Sequence, residues 1–200
     1  MRVEVLAWPA DGAAVVSFLT ANEWPSHGVC HLSPEAAAAV GVAGDYVATF
    51  WMLDGTERVG LIRLFDLDDL AVGSPLFDLR IAESHRGRGL GRRAVDWLTE
   101  YLFTTYPELY RIEATTRADN LAMQAVFAHC RYRQEGRLVE AWSNADGSRH
   151  DTLIYGFLRR EWALQCSGLG ATRGCETMLL RGDGRVGGAC RPGGGWTCTL

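Results

Sequence analysis

Apolar and polar positions change their period several times along the first 162 residues, and each change marks an element. Residues 2–8, RVEVLAW, alternate, the period of a strand with one buried face. Beyond Pro9, the residues Val15, Phe18 and Leu19 share one face at helical spacing, with Asp11 placed to cap. SPEAAAAV (33–40) offers Ser33 as N-cap and Pro34 at the first helical position, which predicts a second, short helix. Residues 45–67, DYVATFWMLDGTERVGLIRLFDL, are two β-rich runs around Asp54-Gly55, a hairpin signal. PLFDLRI (75–81) predicts a fourth strand. From Gly89 onward, Leu90, Ala94, Trp97, Leu98, Tyr101 and Leu102 recur at helical spacing, a helix laying one apolar face on a sheet. YRIEATT (110–116) predicts a fifth strand and DNLAMQAVFAHC (119–130) a helix with Asp119 or Asn120 at its cap. RLVEAW (137–142) and TLIYGFLRREW (152–162) close as two strands around the turn NADGSRHD. The order β-α-α-β-β-β-α-β-α-β-β is that of an α/β domain with one βαβ crossover, at strand four, helix three and strand five.

The pattern stops after Trp162. Residues 163–200 hold ten of the 23 glycines and four of the six cysteines, with neither period present, so a domain over 1–162 and a disordered tail over 163–200 are expected. The tail cysteines Cys166, Cys175, Cys190 and Cys198 lack the close pairing of a zinc site, and no metal is expected. Cys30 and Cys130 read as small core residues of a cytoplasmic protein. No apolar run reaches the roughly 20 residues of a membrane span, and the alternating N-terminus is unlike a signal peptide. The formal net charge of −4 argues against a general nucleic-acid binder.

One stretch stands apart. SHRGRGLGRR (84–93) sets Arg86, Arg88, Arg92 and Arg93 among three glycines at the junction of strand four and helix three. The first N–H groups of a helix have no partner inside it, and the helix dipole adds about half a positive charge there. Glycines let the backbone approach an anion closely, so the turn is suited to a phosphate. A P-loop is excluded, because the chain has no lysine. Gly89-x-Gly91-x-x-Ala94 matches a dinucleotide fingerprint, but that motif opens a series of parallel βαβ units, whereas a hairpin precedes it here and one crossover follows.

Arg86-x-x-Gly89-x-Gly91 resembles the pyrophosphate loop of the GNAT superfamily of acetyl-coenzyme A-dependent N-acetyltransferases, and Asn120, opening the next helix after a strand, resembles that family's asparagine. The element order over residues 1–162 is also similar, and DNLAMQAVFAHCRYRQEGRLVEAW is most like the branch holding the ribosomal-protein N-terminal acetyltransferases. The resemblance implies a single domain with a mixed, mostly antiparallel sheet whose parallel strands four and five splay apart, flanked by helices. It implies that the pantetheine arm of acetyl-coenzyme A bonds to the backbone of Leu79, Arg80 and Ile81. The pyrophosphate would rest on the segment Arg86, Gly87, Arg88, Gly89, Leu90, Gly91 and Arg92, with Asn120 at the pantetheine region; helix capping is the plain alternative for Asn120. The implied partners are acetyl-coenzyme A and an amine acceptor, a primary amine of a small molecule or a protein N-terminus. Homodimers are common in that family, although no interface signal is visible in this chain.

The chemistry implied is attack of a neutral amine on a thioester. Neutralising a lysine-like amine at pH 7 costs about 4 to 5 kcal/mol, an α-amine roughly 1 kcal/mol, so the need for a base depends on the acceptor. Glu113, mid-strand in RIEATT, and Asp78, interrupting PLFDLRI, are the base candidates; pairing of Asp78 with Arg80 is its structural alternative. Glu83 reads as a solvated charge and His85 as a surface histidine beside the loop. Trp24, His27 and His31 lie where the resemblance puts the acceptor pocket, with core packing an equal explanation for Trp24. Two positions depart from the family: Phe127 stands where many members carry a tyrosine that protonates the leaving thiolate, and Arg131 where many carry a helix-ending glycine. Tyr132 is a near neighbour of that position, but it stands where the family usually holds a core aromatic. The Phe127 departure keeps open a non-catalytic acetyl-coenzyme A sensor, and the glycine triplet a nicotinamide-dependent enzyme.

Overall fold

A computed structural model describes residues 1–168 apart from residues 69 and 72. The elements run β1 (Arg2–Val5), α1 (Gly12–Thr20), α2 (Pro34–Ala38), β2 (Ala48–Asp54), β3 (Glu57–Phe65), β4 (Leu76–Ile81), α3 (Leu90–Thr105), β5 (Arg111–Arg117), α4 (Leu121–His129), β6 (Arg133–Ser143), β7 (Arg149–Leu158) and α5 (Arg159–Gly168). Through β7 this is the expected order. The difference lies beyond it: the last predicted strand ends at Leu158, and the chain turns into α5, so the expected boundary at residue 162 falls inside a helix. Arg159 makes the turn. Its guanidinium donates to Leu109 O (2.6 Å), Phe103 O (2.9 Å) and Tyr106 O (2.5 Å), satisfying carbonyls at and beyond the end of α3. The tail beyond residue 168, with Cys175, Cys190 and Cys198, lies outside the described residues, as does the Cys166 side chain.

The strands form two antiparallel sheets, β1-β2-β3-β4 and β5-β7-β6. No ladder joins β4 to β5, the pair expected to splay. Ser74 holds their starting ends together, donating through Oγ to Arg111 O (3.4 Å) and accepting from Glu113 N–H (2.8 Å). Both strands then run on unpaired along their facing edges, leaving a gap toward Ile81 and Arg117.

The β1-β2-β3-β4 sheet is covered on both faces, whereas β5 and β7 add residues to one core alone. One core packs α3 and α4 through Leu90, Ala94, Leu98, Leu102 and Phe127 against Ile62, Ile112 and Phe157. The other packs α1 and α2 through Val15, Phe18, Leu19 and Ala37 against Trp51, Leu53 and Leu61, with Trp24 fully enclosed. In β4 the alternation splits accordingly: Phe77, Leu79 and Ile81 pack toward the first core, while Asp78 and Arg80 face the α1–α2 side. Ser33 caps α2 as expected, accepting from Ala36 N–H at 3.2 Å, with Pro34 at the first helical position.

Candidate active site

The glycine-rich turn lies at the open end of the gap. After β4, a 3-10 turn (Glu83–His85) leads into Gly87 and Gly89, at φ 73° and 75°, a left-handed conformation that costs L-residues with a side chain about 1–2 kcal/mol. Gly89 is the N-cap of α3, and a Cβ placed on Gly87 or Gly89 would meet no atom within 4 Å. Among the described residues, the backbone N–H groups from Gly87 to Arg92 donate to no acceptor; the first bonded one is Arg93 N–H, to Gly89 O at 3.2 Å. Arg88 and Arg93 form no ion pair among the described residues, and Arg92 pairs loosely with Asp96 at 3.7 Å. Unpaired amides and a helix N-terminus, in a loop that also carries the exposed Arg88 and Arg93, are features that suit an anion.

Within this loop the residues divide the labour differently from the expectation. The Arg86 side chain is a strut, donating from Nε to Ile81 O (3.0 Å) and from Nη2 to Glu23 O while its guanidinium lies over the Trp24 ring. Gly91 serves packing: a Cβ there would come 3.3 Å from Val126 Cγ2 and 3.6 Å from Ile81 Cδ1, so the missing side chain lets α3 sit close on α4 and β4. His85 is buried rather than on the surface, bonded to Ser84 Oγ at 2.9 Å and 3.6 Å from Glu57.

Along β4, Ala82 N–H donates to Val59 O (2.9 Å). By the alternation of an antiparallel ladder, the backbone groups of Arg80 then bond β3, while those of Leu79 and Ile81 face the gap. Leu79 and Ile81 therefore offer an edge to an extended ligand, and Arg80 does not. Asn120, on the opposite lip, caps α4: its Oδ1 accepts from Met123 N–H (3.1 Å) and its Nδ2 donates to Thr116 Oγ1 (3.1 Å).

The two base candidates have different surroundings. Glu113 is half-buried and ion-paired with Arg111 at 3.0 Å; Arg111 also holds Glu135 at 2.6 Å. Asp78 is largely enclosed, accepting from His27 Nε2 at 2.9 Å on Oδ1 and from Arg80 Nε at 3.0 Å on Oδ2. Burial alone would raise its pKa, but the His27 hydrogen bond and the Arg80 charge together hold it far below the usual carboxylate range. So strongly held an anion is a poor proton acceptor. It is placed to orient, and the anticipated pairing with Arg80 is present.

Sequence reasoning placed His27 near an acceptor pocket but gave no sign of its bond to Asp78, 51 residues away. The segment carrying it spans the gap. On the β4 side Asn22 Oδ1 accepts from Glu83 N–H (2.9 Å) and His27 meets Asp78; on the other side Pro25 O accepts from Arg117 Nη1 (2.9 Å) and Gly28 O from Ala145 N–H (2.9 Å). Arg117 is itself fixed by Asp119 at 2.5 and 2.9 Å. Across the gap, Phe127 is fully buried among Phe77, Tyr132 and Tyr155, and no hydroxyl occupies its position. Tyr132 does not replace it: its hydroxyl is buried against Thr99 Oγ1 at 2.7 Å, and burial pushes its pKa up.

The architecture matches known enzymes. A "Probable acetyltransferase" shares 21% identity at a TM-score of 0.66, covering 80% of this chain and 93% of its own. Spermidine N-acetyltransferase from Vibrio cholerae, in complex with CoA and spermine, shares 19% identity at 0.65, covering 81% and 97%. Spermidine/spermine N-acetyltransferase from the same organism, in complex with manganese ions, shares 19% at 0.64, covering 82% and 95%. No curated protein sequence matches the chain. Among the described residues no helix is long and apolar enough to cross a membrane. The model of the acetyltransferase (GNAT) family matches residues 8–132, from the turn before α1 to the residue before β6, and with the fold and the gap in place the chain belongs to that family of acetyl-coenzyme A-dependent N-acetyltransferases.

Proposed function

We propose that this acetyltransferase moves acetyl from acetyl-coenzyme A to a primary amine of a small molecule or a protein N-terminus, in the cytoplasm and without a metal. The observation that carries the reading is the gap between β4 and β5, held closed at Ser74 and open where unpaired N–H groups from Gly87 to Arg92 converge. In this reading the pantetheine lies along β4 as a missing strand, bonding to the backbone of Leu79 and Ile81. The pyrophosphate takes the amides of Gly87, Arg88, Gly89, Leu90, Gly91 and Arg92, with Arg88 and Arg93 contributing charge. Arg86, Arg80 and Asn120 act by fixing the lips of the gap rather than by touching the cofactor with their committed groups.

The amine enters on the α1–α2 side, beneath the segment that spans both lips. There the neutral nitrogen attacks the thioester carbon, the oxygen takes the electron pair, and collapse of the tetrahedral intermediate expels the thiolate. A thiolate is a good leaving group, so burial of Phe127 without a hydroxyl is compatible with turnover. The spermidine enzymes share only the fold at 19% identity, and the acceptor class is an open choice between small amines and N-termini. One ligand set among the described residues, Glu23, Cys30 and His31, brings its donor atoms within 4.8 Å of one another, but on the exposed side of the spanning segment.

Release of free thiol from acetyl-coenzyme A, measured against a panel of α-amines, polyamines and aminoglycosides, tests the proposal. Amine-dependent thiol release that survives exhaustive chelation is expected. Tight acetyl-coenzyme A binding with no release on any amine would instead describe a sensor.

A further inference from the structure

We propose that His27 is the general base of this enzyme, taking the proton of the acceptor amine on Nδ1, and that Asp78, clamped by Arg80, is the residue that positions it. The inference rests on the acetyl-transfer reading above and names the proton acceptor within it.

Three observations carry the assignment. First, Asp78 is fixed at both oxygens, by His27 Nε2 at 2.9 Å and Arg80 Nε at 3.0 Å. A carboxylate only accepts, so the imidazole donates from Nε2–H and leaves a lone pair on Nδ1. Second, among the described residues His27 Nδ1 is enclosed and has no hydrogen-bond partner, and neither has Nη1 of Arg80, whose Nε holds the other carboxylate oxygen. A buried acceptor and a buried donor left unpaired are each costly unless a ligand or a water completes them. Third, the backbone holds His27 over the gap. Pro25 O accepts from Arg117 on β5, Gly28 O accepts from Ala145 N–H, and His27 meets β4 between them. The Trp24 ring packs edge-on to the imidazole at 6.0 Å and limits its rotation.

The charged groups around the imidazole are few. Asp78 and Arg80 face it from β4, Arg86 lies over the far side of Trp24, Arg117 approaches from β5 through Pro25 O, and Glu23 and His31 belong to its own segment. Among the described residues Asp78 is the one carboxylate bonded to it.

The step balances as follows. The amine nitrogen forms a bond to the acetyl carbon while the carbonyl π pair moves to oxygen. The N–H proton passes to His27 Nδ1, directly or through one water, giving an imidazolium whose charge Asp78 compensates. The oxygen pair returns, the C–S bond breaks, and the thiolate leaves. The imidazolium proton is returned to the sulfur through solvent, so that acetyl-S-CoA and R-NH2 become R-NH-acetyl and HS-CoA with no net proton change. An orienting carboxylate, a histidine and a nucleophile recur together on unrelated folds because each fixes the protonation state of the next.

H27Q tests this with little disturbance, because the glutamine amide can still donate to Asp78 while Nδ1 is lost. Relative to the wild type, acetyl-coenzyme A affinity by calorimetry and melting temperature are expected to stay nearly unchanged. The value of kcat/KM is expected to fall about 10²-fold at pH 7, the usual range for loss of a general base, and the acid limb of its pH profile to disappear. D78N is expected to give an intermediate fall with retained acetyl-coenzyme A affinity. A folded H27Q with wild-type kcat/KM across the pH range, beside an active wild type, overturns the assignment while leaving acetyl transfer intact. A wild type that binds no acetyl-coenzyme A and releases no thiol overturns both. Nitrogen-15 NMR of the intact chain serves independently of any variant: Nε2 protonated with Nδ1 bare above the acid limb supports the assignment, and the reverse tautomer refutes it.

Discussion

Replacing Gly89 by alanine separates what the loop does for the fold from what it does for the ligand. Gly89 sits at φ 75° with no atom within 4 Å of a Cβ built on it, so the methyl crowds nothing in the protein and the cost to folding is conformational. A left-handed residue with a side chain costs about 1–2 kcal/mol, which lowers the melting temperature of a chain this size by roughly 2–8 °C. Gly55, in the β2–β3 turn, is a matched control, with φ 62° and the same empty surroundings. G55A should lose a similar amount of stability and no ligand affinity. In G89A the added side chain hinders the close backbone approach that a pyrophosphate on this loop needs, so acetyl-coenzyme A binding should weaken at least tenfold, about 1.4 kcal/mol. Thermal melts and calorimetry on the two variants decide the matter. If G89A and G55A melt alike and bind acetyl-coenzyme A as the wild type does, the phosphate does not rest on this loop.

Other consequences follow from named groups. Arg131 ends α4 in a left-handed conformation (φ 65°), with Tyr132 N–H bonded to Phe127 O (2.9 Å) and Arg131 N–H to Ala128 O (3.2 Å), the Schellman arrangement that favours glycine; R131G should raise stability by about 1 kcal/mol in a denaturant melt. Because Asp78 is held below its unfolded value, its stabilising contribution is complete above about pH 5 and is lost as pH falls through 4 and below; the melting temperature of D78N should fall less steeply over that window than the wild type's. Glu113 forms a partly solvated pair with Arg111, so E113Q should cost no more than about 1 kcal/mol and keep kcat/KM within a few-fold, and a 10²-fold fall rescued by raising the pH would return Glu113 to the role of base.

Local pattern carried most of the architecture. Alternation in RVEVLAW, the Asp54-Gly55 turn and the spacing from Leu90 to Leu102 each depend on neighbours within a few residues, and each element formed there, although β1 stops at Val5, short of Trp8, with Val5 exposed. The exception at the C-terminal end has a long-range cause: Arg159 binds carbonyls 50, 53 and 56 residues earlier, and nothing within FLRREW signals those partners. The loop shows the same division. Its composition announced an anion site, but which arginine is a strut and which glycine is a packing gap depended on Glu23, Trp24 and Val126, which the loop sequence does not contain.

The two charged residues in apolar strands show how far such reading extends. Glu113 and Asp78 look alike in sequence, each a carboxylate interrupting a hydrophobic run. Each also has an arginine two residues away on its own strand, Arg111 and Arg80. What separates them is a third group. Arg111 turns to a second carboxylate, Glu135, and the cluster stays at the surface. Asp78 instead receives a second donor, His27, delivered by a segment pinned on both sides of the gap. A buried carboxylate with two donors stays ionised and immobile, so the useful lone pair moves one bond further out, to the imidazole. A charge in an apolar strand therefore identified where to look, and the partner supplied from a distant loop decided which atom has the chemistry.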